Sequence, residues 1–366
     1  MAGSMTFAQW GNDLYTGRRS YPIVARRGLW FSIVGALALA SVVILLTKGL
    51  TLGIDFRGGT QFTLNSVSTT EQSVGVDAVH DVLPEEEPRV AIIGDSSVRV
   101  QTVELDAAET TEVTDALAAA YDVDASSIDV SFVGPIWGQA VSERALWGVI
   151  VFVVLAAAFM AIYFRAWRMA AAGILAMLCD LLISAGVYAL IGWEVTPSTI
   201  IGFLTILGFS LYDKMVVFDK VRENTTGVLE QSRSTYAERA NLAVNQTLVR
   251  SINTSVVALL PVAGILFVGA FWLGAGTLRD LSLSLFVGIA VGAASSIFLA
   301  TPLDVTLREK EPKIAEHTAS VLAARAELTS EGGHDAELAA AAAGRAQLIP
   351  GHHQGTTSQP RRRRGR

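Results

Sequence analysis

Charged residues and cysteines are scarce in this chain of 366 residues. Asp, Glu, Lys and Arg together make up 17% of it, whereas 51% is hydrophobic and the mean hydropathy is +0.44. That balance excludes an ordinary soluble domain and indicates a protein that crosses a membrane several times. Cys179 is the sole cysteine, which excludes a disulfide framework within one chain.

Signatures of enzymatic chemistry are also missing from the sequence. It has no Walker-type phosphate loop, no Gly-x-Ser-x-Gly elbow and no zinc-type histidine cluster. The histidine pair His352-His353 is too weak a signal for a metal site. We therefore predict that the chain is not an enzyme and needs no cofactor or metal.

Six apolar segments are long enough to cross a bilayer, which takes about 20 residues. They are Leu29–Thr47, Leu146–Phe164, Met169–Ile191, Ser198–Phe218, Ser251–Phe271 and Leu281–Ala300. The polar, basic residues 1–28 precede the first span, which we expect to stay in the membrane as an anchor. Lys and Arg are concentrated in residues 1–28, in every second connection and after the sixth span, so we predict that both termini are cytoplasmic. Small residues in the sixth span, such as Gly288 and Gly292, predict close helix packing.

One connection is long enough to be a domain of its own. Residues 48–145, between the first two spans, are rich in Asp and Glu and show the order β-α-β-β-α-β. The expected strands are 59–64, 89–93, 98–105 and 128–133, the expected helices are 71–83 and 109–121, and a hairpin turn is expected at 94–97. This order is typical of the ferredoxin-like fold. The predicted fold class is therefore an α-helical polytopic membrane protein with an extracytoplasmic α+β domain between the first two of its six helices.

The predicted helical bundle covers 29–47 and 146–303, and the C-terminal segment after it has a different composition. Residues 304–366 are rich in alanine and end in a run of arginines. We predict a disordered cytoplasmic tail. Its arginines either reinforce the topology as a solvated run or contact anionic lipid or RNA, and we expect no specific nucleic acid partner.

Ionisable side chains inside the predicted spans are few, and each is costly in hydrocarbon. Asp213 lies in the inner half of the fourth span, about 9 Å from its inner end at the rise of an α-helix. Arg250 opens the fifth span at that same end. A pair between them is geometrically possible, and its breaking and re-forming with a proton would make a switch.

Other polar residues accompany this pair, and more than one interpretation is open for several of them. Asp180, near the middle of the third span, is either functional or a hydrogen-bonding partner of a neighbouring helix. Asp219 is expected at the membrane interface, and Lys214 is expected to extend toward the cytoplasm. Asn253 and Thr254 either join helices or line a proton path.

Several motifs resemble the SecD and SecF subunits of the bacterial preprotein translocase. Gly53–Thr60, with the sequence Gly-Ile-Asp-Phe-Arg-Gly-Gly-Thr, is similar to the signature that both subunits share. Ser210–Asn224 and Asn245–Ser255 resemble motifs of the fourth and fifth spans of SecF. The resemblance covers about residues 26–305. Six spans with one small outer domain fit the SecF branch, because SecD carries a much larger outer domain.

The resemblance implies a proton-driven accessory of protein export. With a SecD-like subunit in the bacterial inner membrane, it would use the proton motive force to complete the export of unfolded preproteins after SecA and the SecYEG channel have threaded them. It also implies half of an RND-type bundle and a proton path through Asp213 and Arg250. Four residues after the first span are expected to carry movement to the outer domain: Asp55, Arg57, Gly58 and Gly59.

Two positions depart from the pattern of that family. Cys179 stands where histidine is common, and Lys214 stands where an uncharged residue is usual. Two other functions also stay open: an RND-type proton-coupled exporter of small molecules, and a non-conducting structural subunit of the translocon.

Overall fold

The structure is a computed structural model, and it describes residues 7–93, 96–272 and 276–331. Within these ranges, six helical segments are long and apolar enough to cross a membrane. They are Arg27–Thr47, Ile136–Phe164, Trp167–Ile191, Pro197–Glu230, Tyr236–Val268 and Leu278–Arg308. The six predicted spans are therefore confirmed as helices of suitable length and composition.

The bundle is built from six long helices, and three further helices lie at one end of it. The long helices are α2 (Arg27–Thr47), α6 (Pro135–Phe164), α7 (Trp167–Ile191), α8 (Pro197–Thr225), α9 (Tyr236–Gly264) and α10 (Gly276–Ser295). The three further helices are α1 (Phe7–Tyr15), α11 (Thr301–Arg308) and α12 (Pro312–Glu331). We call their end of the bundle the tail end and the opposite end the domain end. Segments of π-helix continue α9 over Ile265–Trp272 and α10 over Ser296–Ala300.

Small residues let α8 and α10 approach closely. Three pairs meet along this contact: Gly202 with Ser284, Ile206 with Gly288, and Ser210 with Gly292. A Cβ atom added at Gly202 or Gly288 would overlap the facing side chain. The close packing predicted from the small residues of the sixth span is therefore confirmed.

The connection between α2 and α6 folds into the predicted α+β domain. Its elements are β2 (Gly59–Leu64), α4 (Gln72–Val82), β3 (Arg89–Ile93), β4 (Ser97–Thr102), α5 (Ala107–Tyr121) and β5 (Ile128–Val133). The antiparallel sheet has the order β3-β4-β2-β5, which with βαββαβ connectivity is the ferredoxin-like arrangement. Phe62, Val100 and Leu117 are fully buried in its core. A capping box of Asp106 and Glu109 starts α5.

Short elements join this domain to the bundle. β1 (Thr51–Leu52) follows α2 and pairs in parallel with β6 (Glu194–Val195), which lies between α7 and α8. A single helical turn, α3 (Ile54–Arg57), then leads into β2. The domain end of the bundle is therefore bound to the α+β domain through the chain and through a sheet of two short strands.

Two predicted boundaries differ from the structure. Residues 135–145 belong to α6 and not to the α+β domain, because β5 ends at Val133 and Pro135 begins α6, in whose first turn proline is favoured. Residues 304–308 and 312–331 are helical and not part of a disordered tail, and α12 buries Ile314 and Val321. Part of the predicted hairpin turn, residues 94–95, and the arginine-rich segment within 332–366 lie outside the described residues.

Candidate functional site

Asp213 lies on α8 where that helix meets α9, and only 2% of it is exposed. The hydroxyl of Ser251 on α9 donates a hydrogen bond to Asp213 Oδ1 over 3.1 Å. The second oxygen, Oδ2, has no hydrogen-bond partner within the described part of the chain. This carboxyl group therefore has one neutral donor and one oxygen that can accept a proton or a water molecule.

Arg250 does not pair with Asp213, so the pair that the predicted span ends allowed is not formed. The ion pairs found over residues 7–93, 96–272 and 276–331 do not join these two groups. Helical geometry gives the reason. Ser251 faces Asp213, and Arg250 precedes it by one residue and is turned about 100° away around the helix. The Arg250 side chain is exposed instead.

A polar cleft of about 710 Å³ lies at the tail end between α1, α8 and α9. Four predicted site residues line it together: Asp219, Arg250, Asn253 and Thr254. Asp219 and Asn253 are exposed, and Thr254 is partly buried. The cleft therefore brings charges of both signs to the outside of the α8–α9 contact that buries Asp213.

Lys214 points away from Asp213, although the two residues are neighbours in sequence. Its Nζ atom lies 2.6 Å from Oδ2 of Asp180 on α7, and both side chains are fully buried. Ser210, one turn earlier on α8, donates to the same oxygen over 2.6 Å and accepts a hydrogen bond from Lys214. The expectation that Lys214 extends to the membrane surface is therefore wrong, because a buried carboxylate on the next helix holds it.

The Gly53–Thr60 segment forms the joint between α2 and the α+β domain. Gly58 and Gly59 have φ angles of 78° and 132°, which glycine adopts at little cost. A Cβ atom on Gly59 would overlap the carbonyl oxygen of Thr102, so β2 meets β4 closely only with glycine at this position. Just before it, Phe56 lies against the first turn of α6, where a Cβ atom added at Gly138 would be 3.1 Å from the Phe56 carbonyl.

The two charged residues of this segment have different surroundings. Burial raises the pKa of the half-buried Asp55, and the nearby Glu194 carboxylate raises it further, while Arg99 opposes both. Arg57 is exposed and lines a cleft of about 400 Å³ with Glu86 and other residues.

Sequence reasoning missed Glu194, which binds the α+β domain to the bundle. Arg99 Nη1 of β4 lies 2.7 Å from Glu194 Oε2, and Gln101 Nε2 donates to Oε1 over 2.6 Å. The side chains of Arg99 and Glu194 are each 15% exposed. The partners are more than 90 residues apart in sequence, so the only available signal was an acidic residue in a short connection without a basic one.

Comparisons with known protein families cover most of the chain. A family model described as "Protein export membrane protein SecD/SecF, C-terminal" matches residues 112–310, and a model of the SecD/SecF GG motif matches residues 43–68. The second match includes the glycine-containing joint described above.

Two curated relatives and one solved structure illustrate the similarity. The protein translocase subunit SecF of Streptomyces coelicolor is 45% identical over 335 residues, which cover 90% of this chain and 88% of the relative. The SecF subunit of Mycobacterium tuberculosis H37Rv is 42% identical over 88% of this chain and 75% of its own length. The crystal structure of SecDF, a translocon-associated membrane protein from Thermus thermophilus, superimposes with a TM-score of 0.71 at 30% identity. That match covers 80% of this chain but 39% of the SecDF chain.

Proposed function

The chain belongs to the SecD/SecF family of protein translocase subunits, as its motifs predicted, and on that premise we propose that its bundle couples proton movement to protein export. It is a SecF-like, multi-pass membrane subunit. The observation that carries the proposal is the buried carboxyl group of Asp213, with one hydroxyl donor and one unpartnered oxygen. Ionisable groups in membrane helices are costly, and their usual role is in ion or proton pathways.

In the proposed mechanism, Asp213 alternately binds and releases a proton. Protonation removes the negative charge that Ser251 contacts, and a hydrogen bond to a neutral group is about half as strong as one to a charged group. The contact between α8 and α9 therefore differs between the two states. Moving one elementary charge through 100 mV supplies about 2.3 kcal/mol, which suffices to bias such a contact.

The polar cleft supplies the route to Asp213 from the tail end. Arg250 and Asp219 line this cleft with Asn253 and Thr254. In this role Arg250 attracts water and repels other cations near the α8–α9 contact, without a direct ion pair to Asp213. Asp180 is not part of this route, because its carboxylate is held by Lys214 on the other side of α8.

The same cleft supports the proposed assembly. Lipid cannot solvate the exposed charges of Asp219 and Arg250 at the edge of a membrane bundle, so another protein with polar groups is expected to cover them. We assign this position to a SecD-like subunit, whose partnership the SecDF relatives suggest. SecYEG, SecA and the unfolded preprotein complete the proposed assembly in the bacterial inner membrane, with both termini in the cytoplasm.

Replacement of Asp213 by Asn tests the proposal. The amide keeps the shape of the side chain and cannot take part in proton exchange at this site, so we expect export to fall to the level of a strain without the protein. The measurement is the export of a secreted protein in cells, with the amount of the variant checked by immunoblot. Asp77→Asn, on the exposed face of α4 in the α+β domain, is the control for the same chemical change and is expected to retain most export.

Normal export by Asp213→Asn at normal protein levels would remove the proton-relay proposal. If deletion of the chain still stopped export in that case, the non-conducting structural subunit would be the better assignment. A change in susceptibility to toxic small molecules on deletion, with export intact, would favour the exporter.

A further inference from the structure

Two buried carboxylates flank α8, and their surroundings differ in one respect. Asp213 receives a hydroxyl hydrogen bond from Ser251, and Asp180 receives one from Ser210. Each also has one oxygen without a partner in the described part of the chain. Asp180, however, additionally contacts the ammonium group of Lys214, so its charge is compensated and that of Asp213 is not.

Close packing of α10 keeps the Asp180–Lys214 pair away from water. A Cβ atom added at Gly292 would lie 3.3 Å from Ser210 Cβ and 3.8 Å from Asp180 Oδ2. The glycine thus lets the α10 backbone cover the pair. Cys179, which neighbours Asp180 on α7 and is partly buried, is a further titratable group close to both charges.

We infer that Lys214 is a fixed internal counter-ion that withdraws Asp180 from proton exchange and leaves Asp213 as the proton-binding carboxyl group of the bundle. Lys214 thereby acts as a positioning residue. The inference rests on the proposed function in assigning the exchange itself to Asp213.

The energetics of buried pairs give the inference a distinctive consequence. Removal of one partner leaves an uncompensated charge in a dry site and is strongly unfavourable, whereas replacement of both partners by neutral groups is often tolerated. Without Lys214, Asp180 would keep one serine hydroxyl and one unpartnered oxygen, which are the surroundings that Asp213 has now. Asp180 would then become a second carboxyl group that binds protons.

Infrared difference spectroscopy of the purified full-length chain in lipid tests this directly. The carbonyl stretch of protonated carboxyl groups is followed as the pH is changed. In the wild type we expect a buried carboxyl band that Asp213→Asn removes and Asp180→Asn leaves in place. Lys214→Met should add a second band, and the double variant D180N/K214M should lose that second band again.

Export and thermal unfolding provide the second measurement. The double variant is expected to fold and to export at close to the wild-type level, because it holds no unpaired charge. Lys313→Met is the control for the loss of a lysine charge, since Lys313 is exposed on α12 and lies outside the polar cleft. It is expected to leave the melting temperature and the single wild-type carboxyl band unchanged.

Three results would overturn the inference. One is a wild-type band that Asp180→Asn removes, because Asp180 would then already exchange protons. Another is folded Lys214→Met protein without a second band. If Lys214→Met does not fold, the double variant decides: export as low as that of Asp213→Asn would show that the pair itself carries protons. Failure of the proposed function alone would look different, with normal export by Asp213→Asn and the Lys214→Met band still present.

Discussion

At the scale of single residues, partners decide what an aspartate can do. Asp180, Asp213 and Asp55 are all removed from bulk water to some degree, but they face an ammonium group, a hydroxyl group and a neighbouring carboxylate respectively. A cation holds the first as a structural charge, and a hydroxyl leaves the second open to a proton. The third lies at the joint between the bundle and the α+β domain, where a second acid opposes its ionisation.

Asp55 gives a pH prediction with a definite sign. The pKa of Asp55 is raised, so its ionisation lowers the stability of the folded protein at pH values above the usual carboxyl range. This loss of stability disappears as the pH falls through the raised pKa, because the carboxyl group is then neutral. Glu194→Gln removes the opposing carboxylate and frees Arg99, and both changes lower the pKa of Asp55. We expect its titration midpoint, followed by carbon NMR on the aspartate-labelled full chain, to move to lower pH.

Glu86→Gln is the control for this titration, because Glu86 lies near the same joint but does not act on Asp55. An unchanged Asp55 midpoint in Glu194→Gln would mean that burial alone sets the pKa. A midpoint that moves to higher pH would contradict the assigned electrostatics.

At the scale of elements, α8 is the helix on which the site depends. One side of it presents Ser210 and Lys214 to α7, another presents Asp213 to α9, and a third packs against α10 through small residues. Its start is fixed by a capping box of Thr196 and Thr199 and by Pro197 in the first turn. Rotation of α8 about its axis would therefore disturb three contacts together.

A substitution in α10 and a compensating substitution in α8 test the contact between these two helices. Gly288→Val places methyl groups where Ile206 now lies, and overpacking of this kind costs about 1–3 kcal/mol. We expect a lower melting temperature in detergent, measured by intrinsic fluorescence, and recovery of part of the loss when Ile206→Ala is added.

Gly208→Val is the matched control, because a Cβ atom there meets nothing within 4 Å in this chain. Equal losses in the Gly208 and Gly288 variants would indicate that helix propensity, and not the close contact, is responsible. A melting temperature of Gly288→Val that does not rise when Ile206→Ala is added would lead to the same conclusion.

Much of this architecture could be predicted from the sequence, because hydrophobic pattern determines which segments enter the membrane and which faces of strands are buried. The strands 59–64, 89–93 and 128–133 were predicted with the bounds that the structure has. Hydropathy gives the depth of a residue in a span, however, and not its direction around the helix. Arg250 and Ser251 have the same depth, yet Ser251 contacts Asp213 and Arg250 does not.

Partners that are distant in sequence were the other limit of prediction. Lys214 and Asp180 are opposite charges at similar depth in neighbouring spans, so their pairing had a signal in the sequence. The contact of Glu194 with Arg99 and Gln101 had no such signal, since it depends on how the α+β domain is placed on the bundle.

At the scale of the whole molecule, the two ends of the bundle are held differently. The tail end is cross-linked by several polar contacts between its elements: Arg27 with Glu309, Arg168 with Glu311, Arg325 with Glu238, and Tyr236 with Asp304. At the domain end, Glu194 contacts both Arg99 and Gln101 of the sheet in the α+β domain. Pro261 and the π-helical segment of α9 also lie toward this end. We therefore expect movement within the subunit to be larger at the domain end.

Reversal of the two charges of the Arg99–Glu194 ion pair tests this expectation. Hydrogen bonds to a charged group of this kind contribute about 1.5–3 kcal/mol, so Arg99→Glu, which places two carboxylates together, should release the α+β domain. The measurement is the distance distribution between spin labels on α5 and on the domain end of α7, in a Cys179→Ala background. We expect broadening in Arg99→Glu and a return toward the wild-type width when Glu194→Arg is added. Arg89 lines a cavity of about 530 Å³ together with Arg99 and Glu194. Arg89→Gln alters this cavity but removes none of the ion pairs of the described residues, so it should leave the width unchanged. An unaltered distribution in Arg99→Glu would mean that the β1–β6 pairing alone positions the domain.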